Sequence, residues 1–97
     1  MVDDLYDLVL GENGFLVKLR CKNEYDEIKY SEIKETMKNL VNQWKKMDSI
    51  PKKDFLTIIE LVEFLARSSN FLSKEDSIKT EDASIEIKDI INEIYLD

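Results

Sequence analysis

The hydrophobic pattern of this chain is strongest between Asp54 and Ser69. At about 100° per residue, apolar side chains cover most of a helix formed by this segment and leave only a polar strip of Glu60, Glu63 and Arg67. The segment is too short and too often interrupted by glutamate to span a bilayer, which takes about 20 apolar residues. We therefore predict a central helix at 52–69, whose apolar surface is covered by other parts of the chain or by a partner.

Two further segments show helical periodicity. A helix near 31–48 is predicted to begin at Ser31, a suitable N-cap, and to end before Pro51, because proline disfavours helical geometry in the residue that precedes it. A last helix is predicted near 81–96, after a long polar connection from Ser68 to Asp82. The apolar arcs are formed by Ile33, Met37, Leu40, Val41, Trp44 and Met47 in the first helix, and by Ala83, Ile87, Ile90, Ile91 and Ile94 in the last.

The N-terminal part fits two patterns. Residues 3–10 suit a short helix, which the glycines at 11 and 14 interrupt. At 15–22, alternation of apolar and cationic residues is typical of a strand, whereas Phe15, Leu16 and Leu19 also fit one helical face. We predict an all-α fold, a small bundle of about four helices in a single domain over 1–97. The alternative is an α+β fold with an N-terminal hairpin at 5–22 packed on three helices.

Composition supports the helical prediction. Two glycines and one proline, against 36% charged residues, favour long helices over many short strands. The lone Cys21 excludes an internal disulfide, and we expect its thiol to be structural, in the core or half-buried. Asp3, Asp4 and Asp7 stand where a secretory signal would carry Lys or Arg, so we expect a cytoplasmic protein.

The net charge of −7 is unevenly distributed. Residues 1–14 carry four acids and no base, and residues 70–97 carry eight acids against three lysines, which leaves +2 for the segment between them. Nucleic acids and anionic membranes attract positive potential, so acid at both ends disfavours both as partners. A basic protein partner, or solubility alone, accounts better for this charge.

An acidic stripe is the most regular polar feature of the chain. Its members are spaced 4, 3, 4 and 4 residues apart, which places them on one face of the last predicted helix. We interpret the stripe as the candidate partner-binding edge, with a solvated face as the alternative. The acidic stripe consists of Asp82, Glu86, Asp89, Glu93 and Asp97.

Candidate catalytic chemistry is sparse. The chain has no histidine, the usual general base and the commonest metal ligand. Gly11 and Gly14 have no phosphate-binding motif around them, and the acids near 75–82 are not spaced as in a calcium-binding loop. We expect no enzymatic activity, no catalytic, metal or cofactor-binding residues, and no small-molecule substrate.

The stretch from Tyr30 to Leu65, with a tryptophan closing one helix and Ile-Pro opening the next, resembles small acidic helical immunity proteins of bacterial toxin–immunity systems. The resemblance covers about a third of the chain. It implies a stoichiometric inhibitor of a co-encoded toxin domain, and many such toxins are nucleases with basic clefts. The alternative is a housekeeping or mobile-element interaction module without an inhibitory role. An antitoxin-type regulator would need a basic recognition helix, and the sequence shows none.

Overall fold

The computed structural model describes residues 4–67 and 72–93, and these residues form five α-helices with no strand among them. The all-α prediction is confirmed, and the alternative hairpin at 5–22 is not formed. Helices α3 and α4 both pack against α1 and α5, and α2 packs against α1. The helices are α1 (Leu5–Leu10), α2 (Phe15–Lys22), α3 (Glu27–Met47), α4 (Lys52–Arg67) and α5 (Lys74–Asn92).

All five helices contribute to one hydrophobic core. The buried residues recur at helical spacing within each segment, so that the core collects one face from each helix. Trp44 is buried as predicted, but Leu40 is only half-buried and Met47 is exposed. The core consists of Leu5, Leu8, Val9, Phe15, Leu16, Leu19, Tyr30, Ile33, Met37, Val41, Trp44, Ile58, Leu61, Leu65, Ala83, Ile87 and Ile90.

The turn between α1 and α2 depends on glycine for close approach. Asp4 caps α1, because its Oδ1 accepts a hydrogen bond from the Asp7 backbone N–H at 2.9 Å. A side chain at Gly11 would overlap the backbone of Asp7, and one at Gly14 would overlap the backbone carbonyl of Val9. The two glycines therefore let α2 fold back closely against α1.

Helix α2 resolves the ambiguous segment at 15–22. Phe15, Leu16 and Leu19 are buried on one helical face, as the helical alternative requires. Cys21 lies about 200° around the helix from Leu19 and is exposed. The prediction that Cys21 lies in the core or is half-buried is therefore wrong. A strand would place Cys21 on the same side as Phe15 and Leu19, but the helix turns it away from them.

Two helices begin earlier than predicted, and side-chain caps explain both starts. Asp26 Oδ1 accepts from the Lys29 N–H at 3.0 Å at the start of α3, and Ser73 Oγ accepts from the Asp76 N–H at 3.2 Å at the start of α5. Hydrophobic periodicity marks only where a helix becomes buried, so it missed the first exposed turn of α3, where Ile28 is 77% exposed. Ser31 consequently lies inside α3 rather than at its cap.

Helix α4 is covered on one side only. Ile58, Leu61 and Leu65 are buried, whereas Phe55 and Ile59 remain 49% and 41% exposed. Other parts of the chain cover the inner face of this helix, whereas the alternative cover predicted for its apolar surface, a partner, stays a prediction for the outer face. Residues 68–69, also predicted in this helix, lie outside the described residues.

Core truncations test the assignment of buried faces. We expect Trp44→Ala, Leu61→Ala and Ile87→Ala each to lower the free energy of unfolding by about 2 to 5 kcal/mol, because each leaves a cavity in the core. At 100° per residue, Ile91 lies at the edge of the apolar arc of α5, and it is only half-buried, so Ile91→Ala should cost less than Ile87→Ala. Denaturant melts of the four variants measure this. Equal losses for the two isoleucines would contradict the packing of α5.

The Asp26 carboxylate predicts an acid-sensitive contribution to stability. Lys18 Nζ donates to Asp26 Oδ2 at 2.8 Å, and this bond together with the Lys29 N–H lowers the pKa of Asp26 below its ordinary 3.8. A carboxyl whose pKa is lowered by folding stabilises above its unfolded pKa and loses that effect as pH falls through the folded value. The stability difference between wild type and Asp26→Asn, which keeps a capping side chain, should be constant near neutrality and shrink below about pH 4. A difference independent of pH would contradict the assignment.

Candidate functional site

The acidic stripe lies on an exposed flank of α5. Asp82, Glu86, Asp89 and Glu93 are all exposed, while Ala83, Ile87 and Ile90 on the adjacent flank of the helix enter the core. One face of α5 is therefore buried in the core, and the neighbouring face carries a row of exposed carboxylates. Asp97, the fifth member of the stripe, lies outside the described residues.

Most of the stripe carboxylates form no salt bridge within the described part of the chain. Glu86 accepts from Lys34 Nζ at 3.2 Å, which ties α5 to α3. No described cation forms a salt bridge with Asp82, Asp89 or Glu93. Lys34 is 30% and Glu86 is 49% exposed, so solvent screens their pair and it adds little to stability. Most of the negative charge of the stripe is therefore not paired within the described residues.

A polar cleft, which we name the tyrosine cleft, lies beside the stripe between the start of α3 and α5. Its volume is about 410 Å³. Asp82 and Glu86 form part of its wall, so the first half of the stripe and the cleft are one continuous surface. The cleft is lined by Tyr25, Glu27, Tyr30, Ser31, Lys34, Lys79, Asp82 and Glu86.

Two tyrosines line this cleft: Tyr25 is half-buried and Tyr30 is almost fully buried, and both rings pack on the core. The Tyr25 ring meets the buried Phe15 ring edge-on, with centroids 5.2 Å apart, and the Tyr30 ring lies 5.7 Å from Phe15. Tyr30 Oη donates to the Ala83 carbonyl at 3.4 Å, which links α3 to α5. The rings are therefore fixed by packing before any partner arrives.

Cations of the chain itself occupy the open side of this aromatic surface. Lys34 Nζ stands 4.8 Å from the Tyr30 ring centroid, and Lys79 Nζ stands 5.7 Å from that of Tyr25. Lys79 also pairs with Glu27 at 3.5 Å. The cleft accordingly attracts cationic groups to both its rings and its carboxylates.

Sequence reasoning found the stripe but missed the cleft. A helix that begins at Ser31 leaves Tyr25 and Tyr30 in the connection before it, where helical spacing assigns them to no face. The available signal was Asp26, a good N-cap that precedes Tyr30 by one helical turn. With α3 begun there, Tyr30 falls on the same face as Ile33 and Met37.

A second surface, which we name the α4 groove, is apolar. It lies between α4 and α5, with a volume of about 470 Å³, and opens beside the exposed side chains of Phe55 and Ile59. Two charged residues, Glu63 and Lys88, stand at its rim. The groove is lined by Ile50, Phe55, Ile58, Ile59, Val62, Glu63, Lys88 and Ile91.

No family model, curated protein or solved structure matches this chain. Within residues 4–67 and 72–93, no group of three or more Cys, Asp or Glu side chains is placed to hold a metal ion. None of the helices in those same ranges has the length and hydropathy needed to cross a membrane.

The tyrosine cleft predicts a loss of stability at alkaline pH. Burial, and next the Glu86 carboxylate, raise the pKa values of Tyr25 and Tyr30 above the ordinary value of about 10. A phenol whose pKa is raised by folding stabilises fully below its unfolded pKa and loses that contribution as pH rises above it. Above about pH 10, wild type should therefore lose stability more steeply than the Tyr25→Phe/Tyr30→Phe variant. Denaturant melts at a series of alkaline pH values measure this; parallel pH profiles would contradict it.

Proposed function

We propose that this protein is a non-enzymatic binding protein that engages a basic protein partner through the acidic stripe and the tyrosine cleft. The observation that carries the proposal is the exposed row of carboxylates on α5, most of which have no salt bridge within the described residues. Together with the resemblance to immunity proteins, this surface favours neutralisation of a toxin domain, of the nuclease type.

The physical basis is electrostatic substitution. A nuclease presents positive potential to the phosphate backbone of its substrate, and a row of fixed carboxylates can occupy the same cleft in place of phosphates. Carboxylates without internal ion pairs keep their charge available for this purpose. Capture of such a partner is accelerated by long-range attraction, so the association rate depends on ionic strength.

The tyrosine cleft supplies a place for an anchoring side chain. An arginine guanidinium stacks on tyrosine faces and pairs with carboxylates through several N–H donors at once. Tyr25, which is half-buried, offers a ring to this cleft, and Asp82 and Glu86 offer the carboxylates. The resident Lys79 would have to leave the Tyr25 ring, which costs little because its pair with Glu27 is exposed.

Reversal of two stripe charges tests this proposal. We expect Glu86→Lys/Asp89→Lys to remain folded, because exposed charges contribute little to stability, but to capture the cognate partner more slowly. Wild-type association should weaken as salt rises beyond the range in which the Debye length is about 8 to 10 Å. Pull-down from the native host at low and high salt, followed by association kinetics with the purified partner, measures both effects.

Glu32→Lys/Glu35→Lys is the matched control, since it changes net charge by the same amount on exposed positions of α3. It should capture the partner nearly as well as wild type. Recovery of the same partner equally well by both reversed proteins, at low and at high salt, would show that the stripe is not the binding edge.

A growth assay distinguishes an immunity protein from the alternative, a housekeeping or mobile-element interaction module. The captured partner is expressed in a bacterial host with and without this chain. An immunity protein relieves the growth arrest that the partner causes, and the stripe-reversed variant relieves it less. A partner without toxicity would favour the interaction module.

A further inference from the structure

The outer face of α4 carries an apolar ridge. Phe55, Ile59, Val62 and Ala66 follow one another at intervals of 4, 3 and 4 residues, the spacing of a helix–helix seam. Phe55 and Ile59 are about half exposed, Ala66 is exposed, and Leu56 beside them is 54% exposed. The ridge runs along one wall of the α4 groove.

This surface is comparable in size to the largest apolar patch of a typical soluble monomer. A half-exposed phenylalanine alone leaves on the order of 100 Å² of apolar surface in water, and the largest apolar patch of a typical soluble monomer is about 300 to 600 Å² and is often functional. The ridge and the groove together reach that range. Burial of the ridge and the groove against a second surface removes apolar area from water and is therefore favourable.

The charges around the ridge indicate what that second surface is. Lys52 and Glu63 share the exposed face with Leu56 and Ile59, at intervals of 4, 3 and 4 residues. One end of the face is therefore positive and the other negative, with apolar residues between them. An isologous contact requires such a self-complementary pattern, because each copy offers the same patch to the other.

We propose that a second copy of this chain docks on the first through α4, with the two α4 helices antiparallel. Lys52 and Glu63 are eleven positions, or about 16 to 17 Å, apart along the helix. A two-fold axis midway between them, near Leu56 and Ile59, places Lys52 of each copy opposite Glu63 of the other. The apolar ridges meet at the axis, and each ridge borders the α4 groove of the other copy.

The charges around the α4 face favour a second copy of this chain over a basic protein as its partner. Lys52 and Lys88 stand at the margins of the α4 face, so a strongly basic partner would meet like charge there. Glu63 pairs with Arg67 in its own helix at 3.1 Å, but both side chains are more than half exposed, so this pair is weak and leaves Glu63 able to accept a second cation.

The dimer is independent of the proposed binding of a basic partner. The tyrosine cleft and the first half of the stripe face α3, whereas Lys88 and Ile91 of α5 line the groove with α4. Docking through α4 therefore leaves the stripe of each copy accessible. Two patches of about 300 to 600 Å² each bury about 600 to 1,200 Å² in total, at or below the lower end of the roughly 1,200 to 2,000 Å² of stable interfaces, so the dimer should dissociate on dilution.

Sedimentation velocity of the purified full chain over a dilution series tests the proposal. Wild type should shift from monomer to dimer as concentration rises, and Ile59→Glu should stay monomeric throughout. Ile28→Glu is the matched control, because Ile28 is an exposed apolar residue on α3, away from this face, and this variant should dimerise like wild type. Wild type that is monomeric at every concentration would overturn the proposal, as would a dimer that survives Ile59→Glu or is lost in Ile28→Glu.

A charge swap tests the antiparallel register. Lys52→Glu and Glu63→Lys each place like charges opposite one another, and each should raise the dissociation constant on the order of tenfold. The double variant restores opposite charges and should return to within about threefold of wild type. Additive losses in the double variant would overturn the antiparallel arrangement. Circular dichroism of all variants confirms that they retain the helical fold.

Discussion

Burial of the inner face of α4 is the constraint on which the rest of the structure depends. Leu61 and Leu65 are fully buried, and the helix that carries them packs against α1 and α5. Without that cover, the helix would expose apolar surface at a cost of about 25 cal/mol per Å². The neighbouring helices are themselves short or strongly charged, so each relies on this shared core more than on intrinsic helix propensity.

Helix α5 then separates two surfaces of opposite character. Its contact with α3 leaves the acidic stripe and the tyrosine cleft in water, and its contact with α4 leaves an apolar groove. The first surface suits long-range capture of a cation-rich protein, since charge acts over a Debye length. The second suits short-range self-association, because apolar burial acts only on contact. The two proposed contacts therefore use different sides of α5 and would not compete.

The sequence predicts the inner faces of the helices well, because burial imposes the 3.6-residue period directly on Ile33, Met37, Trp44 and Leu61. It predicts helix starts poorly, because Asp26 and Ser73 act through single hydrogen bonds that leave no periodic signal. The stripe was visible for the same reason as the core: its spacing is regular. The tyrosine cleft was not, because it joins residues from two helices whose pairing is set by tertiary packing.

Thiol labelling along α4 tests the division of this helix most directly. Single cysteines replace Leu56, Ile59, Leu61 or Leu65 in a Cys21→Ser background, and each protein is labelled at high dilution. We predict that cysteines at 56 and 59 react at rates close to those of a free thiol, while those at 61 and 65 react only when the protein opens. Equal protection at all four positions would contradict the account, because it would mean that α4 is covered on both sides within a single chain.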